Sequence, residues 1–149
     1  MRKSIVAAIA VALGGLTGIA AAQVKPDLLV KQRQAVMTLQ GKYFFPIVGM
    51  ASGKAPYNAD AVARNATYLE NLSQMAWDGF QESTKGEKTR ALPEIYSQKA
   101  KFDEYAQRLQ AETAKLGQAA RAKDEAGVKQ QYGAVLKTCN GCHDDFRAK

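Results

Sequence analysis

The sequence predicts an all-α fold, an antiparallel four-helix bundle, and three observations carry that expectation. Apolar residues recur at spacings of three, four or seven in four separate segments, the pattern of helices that bury one face. Breaker-rich or polar stretches divide those segments, as turn chemistry does. Beyond the N-terminal stretch, no segment alternates apolar and polar residues over a strand's length, so no sheet is expected.

The first helix opens after Pro26 with Asp27 and covers residues 27–50. Leu29, Val36, Tyr43 and Met50 repeat every seven residues along it. Pro46 is expected to bend or end its last turns, because proline lacks the N–H that the helix ladder needs. Ser52-Gly53-Lys54-Ala55-Pro56 forms a loop, after which Asn58 or Asp60 caps a second helix. Its apolar line runs through Val62, Ala66, Leu69, Leu72, Ala76 and Phe80, so Trp77 and Phe80 are placed at its end. Residues 81–92 are polar, include Gly86, and read as a long loop. Pro93-Glu94 starts the third helix, where proline is tolerated in the first turn. Ile95, Phe102, Leu109 and Leu116 repeat every seven residues, with Ala106, Thr113 and Ala120 four places after the last three, which is bundle packing. Asp124 caps the fourth helix, where Val128, Tyr132, Val135, Cys139, Cys142 and Phe146 share a face. Both cysteines are therefore expected on its buried side.

Cys139-Asn140-Gly141-Cys142-His143 contains the only two cysteines and the only histidine of the chain. C-x-x-C-H is the attachment signature of a c-type haem. Two thiols one helical turn apart each add to a vinyl group, and the adjoining imidazole serves as an axial ligand of the iron. A thiol–disulfide motif fits less well, since no strand precedes it. Half a zinc site fits less well too, since no further Cys or His completes four ligands. The expected cofactor is one covalently bound haem c per chain, buried between helices as bundles bury cofactors.

Arg2 and Lys3, the apolar run Ile5 to Leu13, and Ala20-Ala21-Ala22 read as a secretory signal peptide over residues 1–22, cleaved after Ala22. That leaves a single domain, residues 23–149. No later stretch approaches the ~18 apolar residues of a membrane span, so no membrane is expected as a partner. Without the signal, 19 basic residues face 14 acidic ones, a net charge of +5. The excess is spread along the chain, so no nucleic acid is expected, whereas an acidic redox partner protein is compatible with it. Haem attachment to C-x-x-C-H takes place outside the cytoplasm in bacteria, which points to the periplasm. Asn65-Ala66-Thr67 and Asn71-Leu72-Ser73 match glycosylation sequons, but both fall inside a predicted helix of an exported bacterial chain and read as chance.

With His143 alone, bis-histidine ligation within one chain is excluded. The thioethers left after the signal are Met37, Met50 and Met75. Arg33 and Gln34 lie four and three residues before Met37, on neighbouring parts of one helix face. That group suits a haem face, with Arg33 for a propionate, Gln34 for a polar edge and Met37 over the iron. It equally suits Met37 as core filler beside a solvated Arg33.

These residues resemble the class II cytochromes c, most closely the cytochrome c′ family. The resemblance covers essentially the whole mature chain. It is carried by Cys139–Arg147, Arg33-Gln34-Ala35-Val36-Met37, Gly53-Lys54-Ala55-Pro56-Tyr57, Trp77 with Phe80, and Pro93-Glu94-Ile95-Tyr96. It implies a left-twisted antiparallel bundle that pairs as a homodimer through its first two helices. It further implies thioethers at Cys139 and Cys142, His143 as the proximal iron ligand, and Arg33 and Gln34 at the haem edge and propionates. Glu87 and Thr89 match a region near the haem edge, and Arg147 matches a basic residue beside the proximal histidine. Arg147 is also a cation suited to a helix C-terminus, and Phe80 serves equally as core or as haem contact.

Two functions follow from the resemblance. In cytochromes c′ the position of Met37 is apolar and unbound, which implies a five-coordinate iron that binds the small gases NO and CO and exchanges electrons. In the low-spin relatives of the cytochrome c-556 type a methionine at this position binds the iron, which implies pure electron transfer. Peroxidase chemistry needs a distal acid–base group and no second histidine exists, so an enzyme is not expected.

Overall fold

The computed structural model describes residues 24–149, where the patterned segments form helices. They are α1 (Pro26–Ala51), α2 (Ala59–Ser73), the one-turn α3 (Glu94–Ser97), α4 (Lys99–Arg121) and α5 (Glu125–Phe146). The expected signal segment lies outside the described residues. Among those described, no strand forms and no helix is long and apolar enough to cross a membrane.

Side-chain contacts set the directions of the four long helices. Gln40 meets Leu72, and the Tyr43 and Tyr68 rings meet at a tilt with centres 4.8 Å apart, so α1 and α2 run oppositely. Ser73 meets Thr113 while Glu70 meets Arg121, which makes α2 and α4 antiparallel. Gln131 reaches Glu112 and Asp145 reaches Tyr105, which does the same for α4 and α5. The main core runs between all four, through Phe44, Ile47, Val62, Leu69, Leu116, Val128 and Val135. A second, aromatic cluster around Ile95, Phe102 and Phe146 lies where α4 and α5 meet the connection from α2.

Several boundaries differ from the sequence expectation. Pro46 does not end α1, which continues to Ala51. The proline is exposed, and the buried Phe44, Ile47, Met50 and Ala51 around it hold the last turn in the core. The buried stripe of α1 is Arg33, Gln40, Phe44, Ile47 and Ala51, so of the seven-residue series only Leu29 and Met50 are buried, while Val36 and Tyr43 are half-buried. A hydrophobic pattern skips a stripe that contains Arg and Gln.

The second helix ends at Ser73, not Phe80. Gln40 Nε2 donates to the Leu72 carbonyl at 3.0 Å and Trp77 Nε1 to the Ser73 carbonyl at 2.6 Å. Side chains thus take the terminal acceptors that a longer helix would use. Trp77–Gly79 is instead a 3₁₀ turn. It brings Gly79 so close to α1 that a Cβ there would lie 2.9 Å from Arg33 Cβ and from the Leu29 carbonyl oxygen. The expected loop 81–92 contains a 3₁₀ turn, Glu82–Thr84. The third helix breaks at Gln98, whose φ −114° and ψ 42° separate α3 from α4.

The local capping signals act as read. Asn58 accepts from the Ala61 N–H and Asp124 from the Gly127 N–H, each at 2.9 Å, satisfying free donors of α2 and α5. The turn from α4 to α5 holds Lys123 at φ +55°, with Asp124 N–H donating to the Ala119 carbonyl at 3.0 Å, a left-handed helix stop.

Glu112 ties α4 to α5. It pairs with Lys115 at 2.9 Å and accepts from Gln131 Nε2. Lys115 foremost, and Gln131 with it, hold its carboxyl below the ordinary glutamate value. A folded-state pKa below the unfolded one contributes stability above the unfolded value, and that contribution is lost as pH falls through the folded value. Glu112→Gln is therefore expected to flatten the decline of the urea midpoint between about pH 5 and pH 3. An unchanged slope would show that Glu112 contributes nothing.

Candidate haem-binding site

A cavity of about 650 Å³ opens between α1, α4, α5 and the connection from α2. This lies within the roughly 300–1,000 Å³ of cofactor sites. One wall is the end of α5, carrying Cys139, Cys142 and His143. Another is α1, carrying Arg33, Gln34 and Met37. Of the residues singled out from the sequence, Phe80, Thr89 and Arg147 also line it, and Glu87 does not. Glu87 is taken up in the turn after Glu82–Thr84, its N–H donating to the Thr84 carbonyl at 3.2 Å.

The cysteines are half-buried rather than fully buried, because this face of α5 looks into the cavity. They form no disulfide with each other. Burial pushes Cys139 up to about 11 and Cys142 up to about 12, the latter helped by Cys139 and Asp145. Protonated thiols are poor nucleophiles for disulfide exchange. Gly141 lets α4 approach between them, since a Cβ there would meet the Tyr105 ring at 3.1 Å. Tyr105 in turn donates to Asp145 at 2.8 Å, and Lys101 pairs with the same carboxylate at 2.9 Å.

His143 is exposed and lines the cavity. Surrounding protein, then the charge of Arg147, hold its pKa below the ordinary histidine value. A neutral imidazole is the form that ligates a metal. Among the described residues no three His, Cys, Asp or Glu side chains converge on one point.

Arg33 tests whether haem fits. It is only 3% exposed and makes no ion pair among the described residues. Its Nη1 donates to the Gly79 carbonyl at 2.7 Å and to Thr84 Oγ1 at 3.0 Å, and its guanidinium lies 4.3 Å from the centre of the Phe80 ring. Nη2 is buried and has no partner among the described residues. A buried charge without a counter-ion is costly, and a carboxylate entering the cavity would supply one. The propionates of a haem are such carboxylates, so the residues fit the group.

Sequence reasoning passed over Arg90, Phe102 and Tyr105, which also line the cavity. The position of Arg90 depends on a contact far along the chain. Its Nε and Nη2 fork onto the Ala148 carbonyl at 3.1 and 2.7 Å, and Ala148 N–H donates back to the Arg90 carbonyl at 2.8 Å. Together with the Ala91–Arg147 bridge, this pins the loop to the end of α5 and adds a third guanidinium to the cavity lining. For Phe102, the seven-residue series of α4 was the available signal.

The family profile described as Cytochrome C' matches residues 28–147. Cytochrome c′ of Alcaligenes xylosoxydans xylosoxydans is 36% identical over 125 residues, covering 84% of this chain and 97% of that protein. The crystal structure of cytochrome c′ from Rubrivivax gelatinosus superposes with a TM-score of 0.80 at 34% identity, over 83% of this chain and 97% of that one. A nitric oxide complex of a mutant cytochrome c prime from Alcaligenes xylosoxidans superposes with a TM-score of 0.79 at 35% identity, over 85% and 98%. A four-helix bundle whose cavity unites C-x-x-C-H with an unpaired buried arginine, matched by these relatives over nearly their full lengths, belongs to the cytochrome c′ family, and its cofactor is a covalently held haem c.

Proposed function

We propose that this chain is an exported, periplasmic haem protein that binds NO and CO at a five-coordinate iron and exchanges electrons. Cys139 and Cys142 carry the thioether bonds and His143 is the proximal ligand. One observation carries the reading. The α1 wall of the cavity presents Met37 among Arg33, Gln34 and Gln40, with no second imidazole in the chain and with Arg33 already committed to Gly79 and Thr84.

When bound, the haem supplies an iron that takes up a diatomic ligand or a single electron. The protein's part is placement and shielding. Arg33 and Arg90 would receive the carboxylates, Phe44, Phe102 and Leu109 would keep water from the interior, and the imidazole of His143, with Arg147 near it, would hold the proximal side. NO and CO need little polar help from the cavity wall. The nitric oxide complexes of the relative support the same ligand class here.

The second reading is a low-spin electron carrier with Met37 bound to the iron. It is favoured by Met37 lining the cavity, while Met50 is buried in the main core and Met75 is 56% exposed. Absorption spectra of the holoprotein before and after CO decide between them. The expected result is a broad high-spin ferrous spectrum that shifts at once with CO. Sharp, split low-spin bands indifferent to CO would assign Met37 to the iron and overturn gas binding.

Leu28, Leu39 and Phe45 of α1 and Tyr68 of α2 are exposed, which supports a homodimer through these helices. Sedimentation of the same sample as a monomer at tens of micromolar would refute it. N-terminal sequencing of the exported protein starting at Gln23 is the result expected for the signal peptide.

A further inference from the structure

We infer that Thr84 is a positioning residue for the haem, acting through Arg33. The inference rests on the reading that haem fills this cavity. Thr84 is fully buried and does not line the cavity, so it touches the cofactor only by way of another side chain.

The geometry at Thr84 leaves its hydroxyl no freedom. It donates its single proton to the Gln81 carbonyl at 2.7 Å. Its oxygen is then an acceptor, taking Arg33 Nη1 at 3.0 Å. The Tyr96 hydroxyl lies 2.8 Å away and, with the Thr84 proton already used, is the donor of that pair. Gly79 is the other anchor of Nη1, at 2.7 Å, and the Phe80 ring lies under the guanidinium.

A guanidinium is a planar fork with donors in fixed directions. Fixing Nη1 and the plane fixes where Nη2 points. Nη2 is the buried nitrogen without a partner, on a side chain that lines the cavity. Without the Thr84 hydroxyl, Nη1 keeps only the Gly79 carbonyl, and with the Phe80 ring as its one other contact the guanidinium can swing about that single hydrogen bond, so Nη2 loses its direction. A cation held at the cavity wall favours the more negative, reduced cofactor. Thr84 therefore raises the reduction potential, though it contacts nothing that is reduced.

The test is the midpoint potential of the holoprotein in Arg33→Gln, Thr84→Val, Thr84→Ala, Thr84→Ser and Arg33→Gln/Thr84→Val. Arg33→Gln is expected to move the ferrous:ferric ratio at fixed potential about tenfold toward ferric, about 59 mV for one electron. Thr84→Val and Thr84→Ala are expected to move it about threefold in the same direction, about 28 mV. Thr84→Ser, which keeps the hydroxyl, should stay at the wild-type value. The double variant should match Arg33→Gln alone, because Thr84 has nothing left to position. Folded, haem-bearing Thr84→Val and Thr84→Ala proteins at the wild-type potential would overturn the inference. So would a Thr84 effect that persists at full size without Arg33. A wild-type protein lacking covalent haem would instead overturn the reading of the site itself.

Discussion

Replacing Cys139 and Cys142 together by serine is expected to abolish covalent haem, read as loss of haem stain on a denaturing gel and loss of the haem mass. Each single replacement should keep haem through one remaining thioether. The double variant should also lose its tertiary order. A 650 Å³ cavity left unfilled exposes to water the apolar side chains that line it, among them Phe44, Phe102 and Leu109, and a domain has only about 5–15 kcal/mol of stability to set against that loss. The helices should therefore persist in far-UV circular dichroism while the near-UV signal fades and a hydrophobic dye binds. Haem that stays covalent without both thiols would refute the assignment. A native near-UV spectrum without haem would refute the packing argument.

Phe102→Ala should be the most damaging single change in the aromatic cluster. Phe102 is 3% exposed and meets Phe80 at 4.8 Å, Phe146 at 5.5 Å and Trp77 at 5.7 Å. It joins α4, the end of α5 and the connection from α2, and it also forms part of the cavity wall. Truncating a buried phenylalanine costs about 3–5 kcal/mol, and edge-on aromatic pairs add to the loss. A fall in Tm of about 10–20 °C follows for a chain of this size. Leu116→Ala, in the main core away from the cavity, provides the comparison. It should lower Tm and leave the haem absorption unchanged, whereas Phe102→Ala should alter both. A loss below about 1 kcal/mol for Phe102→Ala, or an unaltered spectrum, would show that this cluster does not support the site.

The sequence by itself determined what lies within a few turns of one helix. The 3.6-residue period puts two thiols one turn apart and an imidazole beside them, and Asn58 and Asp124 cap their own helices at 2.9 Å. None of this depends on any other part of the chain. The helical class was legible for the same reason, and residues spread from Arg33 to Arg147 carry the family resemblance. Arg33 and Met37 stand out in the sequence, but their spacing suits core filler as well as a site.

The tertiary structure decided that Arg33 is buried and which groups hold it, because Gly79 and Thr84 are 46 and 51 residues away in sequence. It decided that Arg90 faces the cavity, through a fork onto Ala148 that spans 58 residues. It ended α2 at Ser73, because Gln40 and Trp77 took the carbonyls there, and it left Glu87 outside the site. Each of these turns on which face of a helix the others cover and which loop lies over the gap. Local spacing cannot encode that, since the partners meet only after the whole chain has packed.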